Sequence, residues 1–140
     1  MTLTHEILAR IIEQARAEAP NEACGYLAGQ GGRAKLAIPM RNVDASPEHY
    51  SFDPGEQFAA VKEARAEGLD LIAVYHSHPA TPARMSAEDI RLANDASVVY
   101  LIYSLANEQL KGFRVSREKV VSEVPVEVVA EVGSRGGANG

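Results

Sequence analysis

Apolar and polar residues repeat along this chain with two different periods, which predict helices in some segments and strands in others. In the first segment Ile7, Ile11 and Ala15 recur at helical spacing, and Pro20 ends the pattern. Two later segments begin with a residue that caps helices and carry an acidic residue at the third helical position, as in a capping box. The predicted helices cover residues 4–19 and 53–67, and a third begins after Ser86.

Short segments rich in β-branched and aromatic residues lie between these helices and predict strands. The Gly-rich segment 29–32 joins the first two strands as a hairpin. Segment 69–75 is mostly apolar, as in strands buried on both faces of a sheet, and a loop rich in Pro follows from His76 to Met85. The predicted strands are residues 23–28, 34–40, 49–52, 69–75, 97–105, 109–115 and 119–129. This order of elements predicts an α/β fold, a mixed sheet flanked by helices.

Length and composition then limit the class of protein. The chain has 140 residues, of which 46% are hydrophobic, and this size and composition suit one globular domain, expected over residues 1–130. The Gly-rich segment 131–140 is too poor in apolar residues to pack and is expected to be a flexible tail.

Charge, apolar runs and cysteine content exclude several partners. The net charge of −5 argues against a nucleic-acid binder, and no apolar run approaches the length of a membrane span or a secretory signal. With one Cys the chain cannot form an internal disulfide, so we expect a cytoplasmic protein. The sequence does not predict the oligomeric state.

The segment that follows the apolar strand carries a candidate metal site. His76 and His78 are two residues apart, so on an extended chain their imidazoles project to the same face. Asp89 lies in the first turn of the next predicted helix, from which its carboxylate can point back toward the strand end. Two imidazoles and one carboxylate form a three-ligand set for a catalytic zinc, which leaves the fourth position to water. We therefore expect one Zn²⁺ per chain.

Catalysis at such a site also needs a group that moves protons, and spacing alone does not choose it. Four glutamates are candidates for the general base: Glu22, Glu48, Glu56 and Glu88. Ser86 precedes Asp89 by three residues, so its hydroxyl either donates to an oxyanion beside the metal or only caps the helix.

The spacing of these residues resembles a known family signature. His76-Ser77-His78-Pro79, six residues, Ser86, two residues and Asp89 matches the signature of the JAMM (MPN-plus) zinc metalloproteases without a departure in spacing. The segment 21–29, Asn-Glu-Ala-Cys-Gly-Tyr-Leu-Ala-Gly, resembles the Glu-bearing strand entry of the same family. The resemblance covers residues 1 to about 130 and implies the MPN/JAMM architecture, which is related to that of cytidine deaminases.

Membership in that family would imply a hydrolase that cuts peptide or isopeptide bonds, often after the C-terminal Gly-Gly of ubiquitin or a ubiquitin-like protein. Transferred by position, the resemblance makes His76, His78 and Asp89 the zinc ligands and Glu22 the general base. It assigns Ser86 to the tetrahedral oxyanion. The short chain has no room for the insertions of deubiquitinating members and resembles compact prokaryotic members, which act on sulfur-carrier proteins, for example by removing a cysteine from the carrier.

Two other functions are weighed against this one. A non-catalytic interaction module on the same fold would lack the ligands, whereas all five signature residues are present. A zinc deaminase would need a Pro-Cys-x-x-Cys segment, which a chain with a single Cys does not contain.

Overall fold

A computed structural model describes residues 1–130, which form one curled mixed sheet with helices on its faces. The predicted tail 131–140 lies outside the described residues, and the proposed domain boundary at 130 stays a prediction. The helices in the described part are α1 (His5–Glu18), α2 (Pro54–Ala66) and α3 (Ala87–Leu92). The strands there are β1 (Thr2–Thr4), β2 (Cys24–Gln30), β3 (Arg33–Met40), β4 (Asp70–His78), β5 (Val99–Ser104), β6 (Gln109–Val115), β7 (Val121–Val124) and β8 (Glu127–Val129).

The sheet has the strand order β7-β6-β5-β4-β2-β3-β1-β8, so β4 is interior to it. Strand β4 pairs with β2 antiparallel and with β5 parallel. The predicted mixed α/β sheet is therefore confirmed. Because both edges of β4 are occupied by neighbouring strands, the residues at its end are held in a fixed position.

The helices begin where the capping signals predict. The side chains of Thr4, Asp53 and Ser86 each accept a hydrogen bond from a backbone N–H three residues later, and each precedes a helix. Helix α2 ends at Ala66, and Gly68, just after the cap residue Glu67, has a φ of 73°, which glycine adopts without strain.

Helices α1 and α2 cover opposite faces of the sheet. Alternate residues of a strand project to opposite faces, and in β2 Leu27 packs with α1 whereas Cys24 and Ala28 pack with α2. In β4 Tyr75 belongs to the α1 side. The side chains of His76 and His78 consequently point to the face that carries α2.

The structure corrects four expectations. Residues 49–52 form no strand, because backbone groups there bond to the Asn42 side chain instead of to a neighbouring strand. Strand β4 continues through His78, so the two histidines lie within the strand and not in the loop after it. The predicted strand 119–129 is broken at Pro125 into β7 and β8, at opposite edges of the sheet. Strand β1, which pairs with β8, was not expected.

Within residues 1–130 the structure contains no helix that is both long and apolar enough to cross a membrane.

Candidate active site

Two buried histidines occupy the end of β4. His76 is 1% exposed and His78 is 5% exposed, and their Nε2 atoms are 3.1 Å apart. The Nδ1 atom of His78 is 2.9 Å from the carbonyl oxygen of Pro82. A proton on Nδ1 that is donated to this carbonyl leaves the Nε2 lone pair free to bind a cation.

Asp89 completes a three-residue cluster with the histidines. Its Oδ1 lies 3.3 Å from Nε2 of His76, and its Oδ2 lies 3.1 Å from Nε2 of His78. Burial opposes the charge of Asp89, but hydrogen bonds from the two imidazoles outweigh burial and hold the pKa of its carboxyl well below the usual range. The carboxylate is therefore ionised and available as a ligand.

A capping box sets the position of this carboxylate. The backbone N–H of Ser86 donates to Oδ2 of Asp89 at 3.0 Å, and the Ser86 hydroxyl accepts from the Asp89 N–H, also at 3.0 Å. Ser86 itself is exposed. The expected cap is thus present, and because the Ser86 oxygen accepts this bond, its O–H hydrogen stays free to donate.

Glu22 lies two residues before β2 and faces the same cluster. Two hydrogen bonds join Ala23 to Ser77 here: the Ser77 N–H donates to the Ala23 carbonyl at 2.9 Å, and the Ala23 N–H donates to the Ser77 hydroxyl at 2.8 Å. One carboxylate oxygen of Glu22 and a ring nitrogen from each of His76 and His78 all lie within 4.8 Å of one another. Burial is the main cause that raises the pKa of Glu22 to about 8.

The structure distinguishes among the four glutamates that were candidates for the base. Glu56 pairs with Arg41 at 3.5 Å and Glu88 with Arg91 at 2.9 Å, and both pairs are at the surface. Glu48 is exposed. In the described part of the chain, Glu22 is the one of the four that joins the histidines in the potential metal-binding group.

The donor set fits a zinc ion. Zn–N and Zn–O bonds of about 2.0–2.1 Å in a tetrahedron place ligand atoms about 3.3 Å apart. The Nε2 atoms of His76 and His78 lie 3.1 Å apart, and each lies 3.1–3.3 Å from a different carboxylate oxygen of Asp89, close to that spacing. One Glu22 oxygen, Oε1, is buried and has no hydrogen-bond partner among residues 1–130, as expected of a group placed to meet a further ligand or water.

A cleft of about 490 Å³ adjoins the cluster and is lined by Asp89 itself. Aromatic side chains and carboxylates line it together, and the lining contains no Lys or Arg among the described residues. The aromatic and acidic residues are Tyr26, Tyr50, Phe52, Tyr100, Glu88, Asp89 and Asp95.

Sequence reasoning missed Tyr50 and Asn42. The Tyr50 ring stacks on the imidazole of His76, with centroids 4.8 Å apart and planes at 29°. Asn42 is buried and binds the carbonyl of Glu22 at 3.1 Å. Tyr50 belongs to the segment 49–52 that was predicted as a strand, and Asn42 to a predicted loop, so neither pattern indicated a contact with the site.

Comparison with known proteins extends these observations. A family model described as "Prokaryotic homologs of the JAB domain" matches residues 4–116. The CysO-cysteine peptidase of Mycobacterium tuberculosis is 32% identical over 136 residues, covering 94% of this chain and 92% of its own. A probable TtuB-protein conjugate cleaving protease of Thermus thermophilus is 41% identical over 98 residues, covering 66% of this chain and 65% of its own.

Solved structures show the same fold. Protein DSY2949 from Desulfitobacterium hafniense has a TM-score of 0.86 at 43% identity and covers 95% of both chains. AF2198, a JAB1/MPN domain protein from Archaeoglobus fulgidus, has a TM-score of 0.64 at 23% identity, covering 92% of this chain and 99% of its own. The predicted MPN/JAMM architecture is confirmed.

Proposed function

Because the chain belongs to the family of prokaryotic homologs of the JAB domain, we propose that it is a zinc-dependent peptidase that cleaves after the C-terminal Gly-Gly of a ubiquitin-like or sulfur-carrier protein. The observation that carries this proposal is the convergence of His76, His78 and Asp89 within 3.1–3.3 Å beside the buried Glu22. The JAMM-type family and the hydrolase class expected from the sequence are confirmed, since the matched relatives are named peptidases and proteases.

In this mechanism His76, His78 and Asp89 would hold the metal. When bound, zinc supplies Lewis acidity that polarises a carbonyl and makes water a nucleophile at neutral pH. Secondary structure fixes all three side chains. The two histidines lie in the interior strand β4, and the capping box of α3 holds Asp89. Such fixed donors lower the reorganisation that a reaction must otherwise supply.

Glu22 is proposed to move the proton. Burial raises the pKa of Glu22 to about 8 in the metal-free site, and a bound cation would lower that pKa toward neutral pH, where a carboxyl group can both accept and return a proton. Glu22 would take a proton from the attacking water and then deliver it to the leaving amine. Ser86 is proposed to donate its free O–H to the oxyanion that forms as water attacks the carbonyl.

We propose that the cleft of about 490 Å³ beside Asp89 receives an extended protein tail. The relatives are named for a carrier–cysteine adduct and for a protein conjugate, so we propose carrier adducts of this kind as the substrate class. A short C-terminal Gly-Gly segment suits the approach to a buried metal because it has no side chains to exclude.

The direct test uses a recombinant sulfur carrier extended by one cysteine after Gly-Gly, and the same carrier joined to a lysine side chain. Mass spectrometry after incubation with the zinc-loaded protein should show loss of cysteine or release of lysine. Glu22→Gln should bind zinc and lose turnover, whereas Glu48→Gln, an exposed neighbour, should retain both. A Glu22→Gln protein with full turnover would refute the role of Glu22.

Metal content distinguishes the enzyme from the alternative, a non-catalytic interaction module. Elemental mass spectrometry of protein purified without chelator or metal resin should find about one zinc per chain, lost in His76→Ala and Asp89→Asn. A protein that takes up no zinc and binds the carrier without cutting it would favour the interaction module.

A further inference from the structure

The two histidines of the site differ in what holds their rings. The Nδ1 atom of His78 has a carbonyl partner, that of Pro82, at 2.9 Å. The Nδ1 atom of His76 is buried and has no hydrogen-bond partner among residues 1–130. Histidines that bind metals almost always have an acceptor on the second ring nitrogen, which sets the ring orientation. Something else must therefore orient His76.

An aromatic ring occupies the place beside His76. Tyr50 stacks on the imidazole with a centroid distance of 4.8 Å and an interplanar angle of 29°. Phe52 also packs against Tyr50, with ring centroids 5.5 Å apart and planes at 52°. Stacking of this kind resists rotation of the imidazole about its Cβ–Cγ bond, because rotation would drive one ring into the other.

Hydrogen bonds join the loop that carries Tyr50 to Glu22, the proposed base. The amide nitrogen of Asn42 donates to the carbonyls of Glu22 and His49, both at 3.1 Å. Its amide oxygen accepts from the N–H groups of Asp44 at 3.1 Å and Ser51 at 3.3 Å. The backbone N–H of Glu22 in turn donates to a loop carbonyl, that of Ser46, at 2.8 Å.

A second set of bonds closes the loop on the outside. The carboxylate of Asp44 binds Nδ1 of His49 at 2.9 Å and the hydroxyl of Ser51 at 2.7 Å. The position of Tyr50 is thus fixed from both sides of the loop, although residues 49–52 pair with no strand.

We propose that Tyr50 is the positioning residue for the metal ligand His76, taking the part that a hydrogen-bond acceptor takes for His78, and that Asn42 holds Tyr50 in that place. The inference rests on the proposed metal site. It concerns the ring of Tyr50 and not its hydroxyl, since the contact with His76 is face to face.

The test is zinc affinity, measured on metal-free protein by competition with a chromophoric chelator, with no substrate present. Tyr50→Leu should weaken zinc binding by about 10- to 100-fold, the usual effect of losing a partner of a metal ligand. Tyr50→Phe keeps the ring and should bind within about threefold of the unaltered protein. Asn42→Ala should weaken binding in the same direction, because the loop is released while the ring remains.

Two controls separate positioning from general loss of packing. Tyr26→Leu removes a neighbouring aromatic ring, which packs against Phe52 and not against His76. At an equal loss of thermal stability, the Tyr26→Leu protein should bind zinc with unchanged affinity. In a double-mutant cycle measured as the thermal stability of the metal-free protein, Tyr50→Leu should have a smaller effect once His76→Ala has removed the ring on which it stacks.

Each result decides the matter. Unchanged zinc affinity in Tyr50→Leu, an equal loss in Tyr26→Leu or additive effects in the cycle would overturn the role of Tyr50 and leave the proposed function intact. If the unaltered chain bound no zinc, the proposed function would fail together with this inference.

Discussion

Replacing Glu22 by Gln should stabilise the metal-free protein at neutral pH, although it removes the proposed base. Glu22 is 3% exposed, and burial raises the pKa of its carboxyl to about 8 from an ordinary value of 4.5. Between these values the folded protein keeps a proton that the unfolded chain has lost. The free energy of unfolding therefore falls as pH rises through this range, and the loss is complete above pH 8.

The size of the effect follows from the same pKa change. A difference between about 8 and 4.5 corresponds, at 1.36 kcal/mol per unit, to about 5 kcal/mol between low and high pH. Relaxation of the site and entry of water reduce such values, so we expect about 2 to 5 kcal/mol. Gln has the same shape and no ionisation, and its stability should lack this decline.

Urea unfolding of the metal-free proteins at a series of pH values from 5 to 9 measures the difference. The unfolding free energy of the unaltered protein, less that of Glu22→Gln, should fall steadily between about pH 5 and 8 and then level off. Glu63→Gln, at an exposed position of α2, should follow the unaltered protein. Parallel curves for Glu22→Gln and the unaltered protein would show that Glu22 is ionised in the folded state and would refute the reasoning.

Two other substitutions test the frame around the site. Gly25→Ala would place a Cβ in collision with the ring and hydroxyl of Tyr75, whose hydroxyl is held by a 2.6 Å hydrogen bond to Gln14. We expect the free energy of unfolding in urea to fall by about 1–3 kcal/mol or more. An unchanged unfolding midpoint would show that Tyr75 moves freely. Ser86→Ala should lower stability by about 1 kcal/mol through loss of the cap and should lower kcat by about 10²- to 10³-fold with KM little changed; a loss of stability with full kcat would leave Ser86 as a cap alone.

Local signals in the sequence predict the helices well because their causes are local. Thr4, Asp53 and Ser86 lie next to the backbone groups that they cap, so a few neighbouring residues determine where each helix begins. Strand ends depend on distant partners. Strand β4 extends to His78 because β5 pairs with it that far, and the apolar pattern that ends at Tyr75 does not depend on that neighbour.

The site shows the same division between local and distant causes. The spacing of His76, His78 and Asp89 predicts their convergence, since a strand and a capped helix place the three side chains together. Glu22 was chosen by resemblance and not by spacing, because its approach depends on the pairing of Ala23 with Ser77. Tyr50 was missed altogether, since its loop is held by the side chain of Asn42 and by no repeated pattern.

That pairing of Ala23 with Ser77 has a consequence for how the protein acquires its metal. The two residues are 54 positions apart, so the chain must close a long loop before the proposed base meets the ligands. We therefore expect an order of events different from that of zinc fingers, which fold around the ion. Non-local strand pairing sets the pace of folding in such topologies, and we expect it to precede zinc binding here. Zinc would enter a finished fold and stabilise it by mass action, without guiding the chain toward it.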